Sequence, residues 1–104
     1  MSTTKHRDIL GGLIRLHVLH HAVEGEFFGN WMLEELRGHG YRIGPGTLYP
    51  MLHGLERKGY LTSRTEGAGR RARRHYRATR QGRAALALAT SKVRELFNEL
   101  VKER

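Results

Sequence analysis

Between the cluster Gly44-Pro45-Gly46 and the later Gly59 lie four apolar residues, Leu48, Met51, Leu52 and Leu55, at spacings of 0, 3, 4 and 7. That spacing gathers them on one face of an α-helix, and the turn-forming residues at either end keep the helix from growing. The chain is committed to a short amphipathic helix near its middle. Pro50 would break it if it lay deep inside, so the expected start is near Gly46 or Thr47. Pro50 then falls in the first turn, where backbone N–H groups have no helical partner anyway.

Two helical patterns precede this one. From Asp8 to Val23, Ile9, Leu10, Leu13, Ile14, Leu16, Val18, Leu19, Ala22 and Val23 recur at three and four with no proline, which predicts a helix with much of its girth buried. Glu24-Gly25-Glu26 ends it. A shorter pattern restarts at Phe28-Gly29-Asn30, with Trp31 or Met32, Leu33 and Leu36 on one face, and closes at Gly38 and Gly40. After the middle helix, Tyr60 to Thr65 and Arg74 to Thr79 read as the strands of a β-hairpin whose long tip, residues 66–73, is rich in glycine and arginine. From Arg80 to Arg104 the residues are good helix formers behind Thr79 as N-cap, a helix of about 36 Å at 1.5 Å per residue. Its stripe of Leu86, Ala89, Val93, Leu96, Phe97, Leu100 and Val101 is more than the preceding eighty or so residues can cover.

The 104 residues suffice for one domain, and a formal net charge of +9 suits a polyanionic partner. The charge is concentrated: between Arg64 and Arg83 stand eight arginines against Glu66 alone, a local +7. With no cysteine, thiol nucleophiles, disulfides and cysteine-ligated zinc are excluded. No apolar run reaches the roughly eighteen residues of a membrane span, and Met1 to His6 leads into a mixed segment, so the expected location is cytoplasmic, with no membrane partner. His17 and His21 have the i, i+4 spacing of paired metal ligands, with His20 or Glu24 as the nearest third group. Without an HExxH run or a cysteine, the reading is no metal and no cofactor. No paired acids, nucleophile elbow or phosphate loop suggests an enzyme.

Helix, helix, helix, basic hairpin, long helix is the layout of a winged helix-turn-helix, so the expected fold is mainly α with a small β-hairpin. Residues 1–79 would form the DNA-binding part and residues 80–104 a long C-terminal dimerisation helix. In that arrangement the third helix enters the major groove and the hairpin tip reaches phosphates or the minor groove. With the four leucine and methionine positions facing the core, Thr47, Pro50, His53 and Arg57 point outward and Tyr49 stands at the edge of that surface. The arginines Arg64, Arg70, Arg71, Arg73 and Arg74 are the candidate phosphate contacts of the wing.

The run from Gly46 to Leu61, Gly-Thr-Leu-Tyr-Pro-Met-Leu-His-Gly-Leu-Glu-Arg-Lys-Gly-Tyr-Leu, is followed by Gly69-Arg70-Arg71, His75-Tyr76, Thr79 and Gly82, and preceded by Phe28-Gly29. These residues closely resemble the PadR family of transcriptional regulators, over about Asp8 to Leu86. Asn30 and Gly44 depart from the pattern. The resemblance implies a bacterial repressor that binds a pseudo-palindromic double-stranded DNA operator as a homodimer. It places the dimer interface on the terminal and first helices, here Leu10, Leu13, Leu86, Ala89, Val93, Leu96, Phe97 and Leu100. It also implies release by a small, commonly aromatic effector, for which Trp31 is the candidate stacking residue. The alternative from charge alone is a non-specific RNA-binding or architectural protein.

Overall fold

Phe27 and Phe28 form a short strand, absent from the sequence reading, that turns the expected hairpin into a three-stranded sheet. In the computed structural model, which describes residues 6–102, the elements run α1 (Arg7–Glu24), β1 (Phe27–Phe28), α2 (Gly29–Gly38), α3 (Pro45–Arg57), β2 (Leu61–Glu66), β3 (Arg73–Ala78) and α4 (Arg80–Phe97). A π-helical stretch, Asn98–Lys102, continues α4. The last two residues of the helix expected to reach Arg104 lie outside the described residues. The sheet is antiparallel in the order β1-β3-β2, with Phe27 opposite Tyr76 and Leu61 opposite Ala78. Pairing extends to Glu66 opposite Arg73, so the tip of the wing is shorter than the sequence suggested. A 3₁₀ turn at Gly69–Arg71 shapes it, with Gly67 and Gly69 at positive φ.

The core lies where α1, α2 and α3 meet the inner face of the sheet. Val18, Met32, Leu36, Leu48, Leu52, Leu61 and Tyr76 are fully buried at its centre. The middle helix buries Leu48, Met51, Leu52 and Leu55, as its spacing required. It begins earlier than expected, however. Pro45 occupies the first turn behind Gly44, so Pro50 is the sixth residue and lies inside the helix. Pro50 is exposed, so the Gly46 carbonyl, which loses its helical donor, stands on the solvent side. On α2 the choice between Trp31 and Met32 is resolved: Met32 is buried and Trp31 is 46% exposed. The expectation for α1 holds only in part, because Ile14, Val18, Leu19 and Ala22 are buried whereas Ile9 and Leu13 are exposed.

A tight joint connects the wing to α4. The Thr79 hydroxyl caps α4 by accepting from the Gly82 N–H at 3.0 Å and also donates to the Gly59 carbonyl, while the Thr79 N–H donates to Tyr60 O at 3.1 Å. Gln81 Nε2 adds a bond to the Lys58 carbonyl at 3.1 Å. Beyond the joint the first half of α4 packs along α1 and its later part extends past the body: the radius of gyration is 14.8 Å against about 13 Å for a compact chain of this length, and the long dimension is 54 Å.

Candidate nucleic-acid interface

The outward side of α3 carries Pro50, His53 and Arg57, all exposed and spaced three and four residues apart, with Thr47 half-buried at its N-terminal end. Imidazole and guanidinium groups on such a stripe can donate to phosphate oxygens and base edges. Tyr49 is set differently. It is half-buried, packs against the core, and its ring lies on Gly29 at the start of α2.

Opposite Tyr49 stands the base of the wing. Tyr49, Arg73, Arg74 and Ala72 line a concavity of about 520 Å³ together with Phe28, Gly29, Asn30, Trp31, Glu34 and Tyr76. The start of α3 and two wing arginines therefore share one cleft. The Arg73 guanidinium sits 5.1 Å from the centre of the Phe28 ring, a cation–π contact that aims this side chain along β1. Nothing local in the sequence marks Phe28 as an arginine platform. Burial raises the Tyr76 phenol above its ordinary pKa, and the nearby Arg74 guanidinium opposes the shift. Arg70 and Arg71 lie exposed on the 3₁₀ turn at the tip.

Arg64, expected to contact phosphate, is exposed but paired with two acids of the protein. Its guanidinium donates to both carboxylate oxygens of Glu26, at 2.9 and 3.1 Å, and to Glu66 at 3.2 Å. This fork keeps the Glu26 carboxyl below its usual pKa and raises that of Arg64. His75 lies against the same acids, with Nδ1 3.6 Å from Glu26 and Nε2 2.9 Å from Glu66, the latter close but not aligned as a hydrogen bond. A guanidinium already committed to two carboxylates has little positive potential left for a phosphate.

The candidate dimer residues divide by position. Leu10, Leu86 and Ala89 are half-buried, and Leu86 packs against the core. Leu13 on α1 and Val93, Leu96, Phe97 and Leu100 further along the C-terminal arm are 44–59% exposed. Leu88, outside the expected stripe, is exposed on another side of α4. Trp31 meets His21 edge to face at 5.4 Å and lines the 520 Å³ cleft with its remaining surface. Among the described residues no helix is long and apolar enough to cross a membrane.

Comparison with known proteins agrees with this geometry. The family model described as the transcriptional regulator PadR-like family matches residues 18–88. Transcriptional regulator Rv3488 of Mycobacterium tuberculosis is 48% identical over 95 residues, spanning 91% of this chain and 89% of its own length. The crystal structure of a PadR family transcriptional regulator from Eggerthella lenta superposes with a TM-score of 0.82 at 27% identity, over 96% of this chain and 88% of that one. Bacillus subtilis PadR, solved in complex with operator DNA, shares the fold with a TM-score of 0.64 at 23% identity, over 72% of this chain and 44% of that one.

Proposed function

Because the chain belongs to the PadR-like family of transcriptional regulators, which are not enzymes, we propose that it is a cytoplasmic repressor that binds a pseudo-palindromic operator as a homodimer. In this reading residues 1–79 hold the DNA and residues 80–104 join the two chains. The observation that carries it is the cleft shared by the start of α3 and the base of the wing. A helix entering the major groove beside Tyr49 would bring Arg73 and Arg74 to the flanking backbone in the same docking step. Pro50, His53 and Arg57 then face base edges and phosphates, and Arg70 and Arg71 extend the phosphate contact. The operator complex of Bacillus subtilis PadR supports DNA as the partner by likeness of fold.

Dimerisation is supported by the exposed apolar residues of α1 and of the arm formed by α4 and its extension, which stand well beyond the core. Release by a small aromatic molecule is supported by Trp31, whose exposed face borders the cleft between α3 and the wing. A planar ligand stacked there would sit beside Tyr49 and Arg73 and change how both meet DNA.

Selection of bound duplexes from random DNA by the full chain tests the reading. A regulator returns a two-fold related motif bound about 10³-fold or more above random duplex at fixed salt. Equal binding of all duplexes, or preference for RNA, would assign the basic wing to non-specific packaging instead.

A further inference from the structure

Four of the seven histidines, His17, His20, His21 and His39, gather at the contact between α1 and the end of α2, apart from the exposed stripe of α3 and the tip of the wing. His17 and His21 are one turn apart on α1, and Glu35 and His39 stand four residues apart at the end of α2. One ring nitrogen from each of His17, His21 and His39 lies within 4.8 Å of the others. The Glu35 carboxylate stands between two of them, with one oxygen 3.3 Å from His21 Nε2 and 3.0 Å from His39 Nε2.

We propose that His17, His21, His39 and Glu35 form a site for one divalent transition cation of the Zn²⁺ class, bridging α1 and α2. In a tetrahedral zinc centre with ligands at about 2.0–2.1 Å, neighbouring donor atoms are separated by about 3.3–3.4 Å. The separations around Glu35 already approach that value. A cation replaces the present imidazole–carboxylate contacts with bonds to the same atoms, and three neutral imidazoles with one carboxylate make a donor set suited to zinc. The surroundings prepare the ligands. Glu24 lies 3.4 Å from His21 Nδ1 on the far side of that ring, the position from which a carboxylate fixes the tautomer and leaves Nε2 to bind metal. The His17 ring is half-buried, with the His39 ring 4.8 Å away centre to centre. Tyr41 braces the same imidazole edge to face at 5.4 Å.

A second grouping, His20, His21 and Glu24, lies entirely on α1, has two exposed members and shares His21. The inter-helix set is favoured because it is less exposed and joins two elements, and because Glu24 serves it from behind.

The chain's single tryptophan, Trp31, stands 5.4 Å from the His21 ring, so its fluorescence reports on the site directly. Zn²⁺ is titrated into the full metal-free chain, with fluorescence and calorimetry read in parallel. The expected result is one Zn²⁺ per chain with a saturable change in Trp31 emission. His39→Ala and Glu35→Gln should each weaken binding by tenfold or more, whereas His20→Ala should leave it unchanged. His39 is exposed at the C-terminal cap of α2, so its removal spares the core, and an unaltered metal-free circular dichroism melt confirms this. Absence of saturable binding would overturn the proposal, as would loss of binding in His20→Ala with retention in His39→Ala.

Discussion

The ring of Tyr49 occupies the space beside Gly29 where a side chain would begin: a Cβ on residue 29 would stand 2.5 Å from Tyr49 Cε1. The glycine leaves room for the tyrosine, and the tyrosine packs α3 against the start of α2. Gly29→Ala should leave the fold intact, because a ring at the end of a side chain can swing aside, but it should displace Tyr49 from the cleft between α3 and the wing. The expected cost is about 1 kcal/mol of operator affinity, and Tyr49→Ala should cost about 1–3 kcal/mol if the hydroxyl makes a good base contact. Titrations on operator and random duplex check this. Equal losses on both would make Tyr49 a phosphate contact.

The wing arginines are countable by salt. Each neutralised phosphate contributes a slope of about −0.9 to log K against log salt. Replacing Arg70, Arg71 and Arg73 together by Ala should therefore flatten the slope by roughly 2–3 per subunit engaged, with the selected sequence unchanged. Arg64→Ala should barely change the slope, since its charge is held by Glu26 and Glu66. A change in base preference at the operator edges would show an arginine reading minor-groove width.

The bond between Glu26 and Arg64 depends on pH in a defined direction. A carboxyl held below its ordinary pKa in the folded state favours folding above the unfolded pKa, and the benefit is lost as pH falls through the folded value. Wild type should thus melt above Glu26→Gln at neutral pH, and the two curves should converge once pH passes below the carboxylate range. A difference independent of pH would mean that the charge is not what Glu26 contributes.

Leu96→Asp should halve the mass of the particle in solution and weaken operator binding at the same time, because Leu96 is 52% exposed on the proposed dimer face. Sedimentation at micromolar concentration checks it. A monomeric wild type would remove the basis for a two-fold operator.

Gly82 admits no side chain at all, since a Cβ there would lie 2.1 Å from the Tyr60 carbonyl oxygen. Backbone on both sides must move to accept one, so Gly82→Ala should cost about 3 kcal/mol and lower the melting temperature by more than 10 °C, at about 4–8 °C per kcal/mol. A melt within about 2 °C of wild type would show that the joint yields.

Features whose cause is local could be read from sequence. The spacing of Leu48, Met51, Leu52 and Leu55 specified the buried face of α3, and Thr79 before a run of helix formers specified the start of α4. Features made by distant residues could not. Phe27 and Phe28 become a strand only because β3 passes beside them almost fifty residues later. Arg64 is paired with Glu26, which is 38 residues away in sequence. His39 joins His17 and His21 only through the packing of α2 on α1. Proline misled for a different reason: with Pro45 and Pro50 both near the helix start, the rule that keeps proline out of helices favoured the later boundary, whereas exposure allowed Pro50 inside.

The hydrogen bonds of Thr79 and the bare surface of Gly82 fix the direction in which α4 leaves the wing. In a dimer joined along α4, that direction determines how far apart the two α3 helices are held, and two half-sites are met together only when their centres are about 34–36 Å apart or a multiple of this. Residues that never touch a nucleotide would then act as the ruler of the operator. On the proposed reading the exposed positions of α3 would choose which bases are read, while Gly59, Thr79 and Gly82 would choose how many base pairs lie between the two readings, so the letters and the spacing of an operator could change independently.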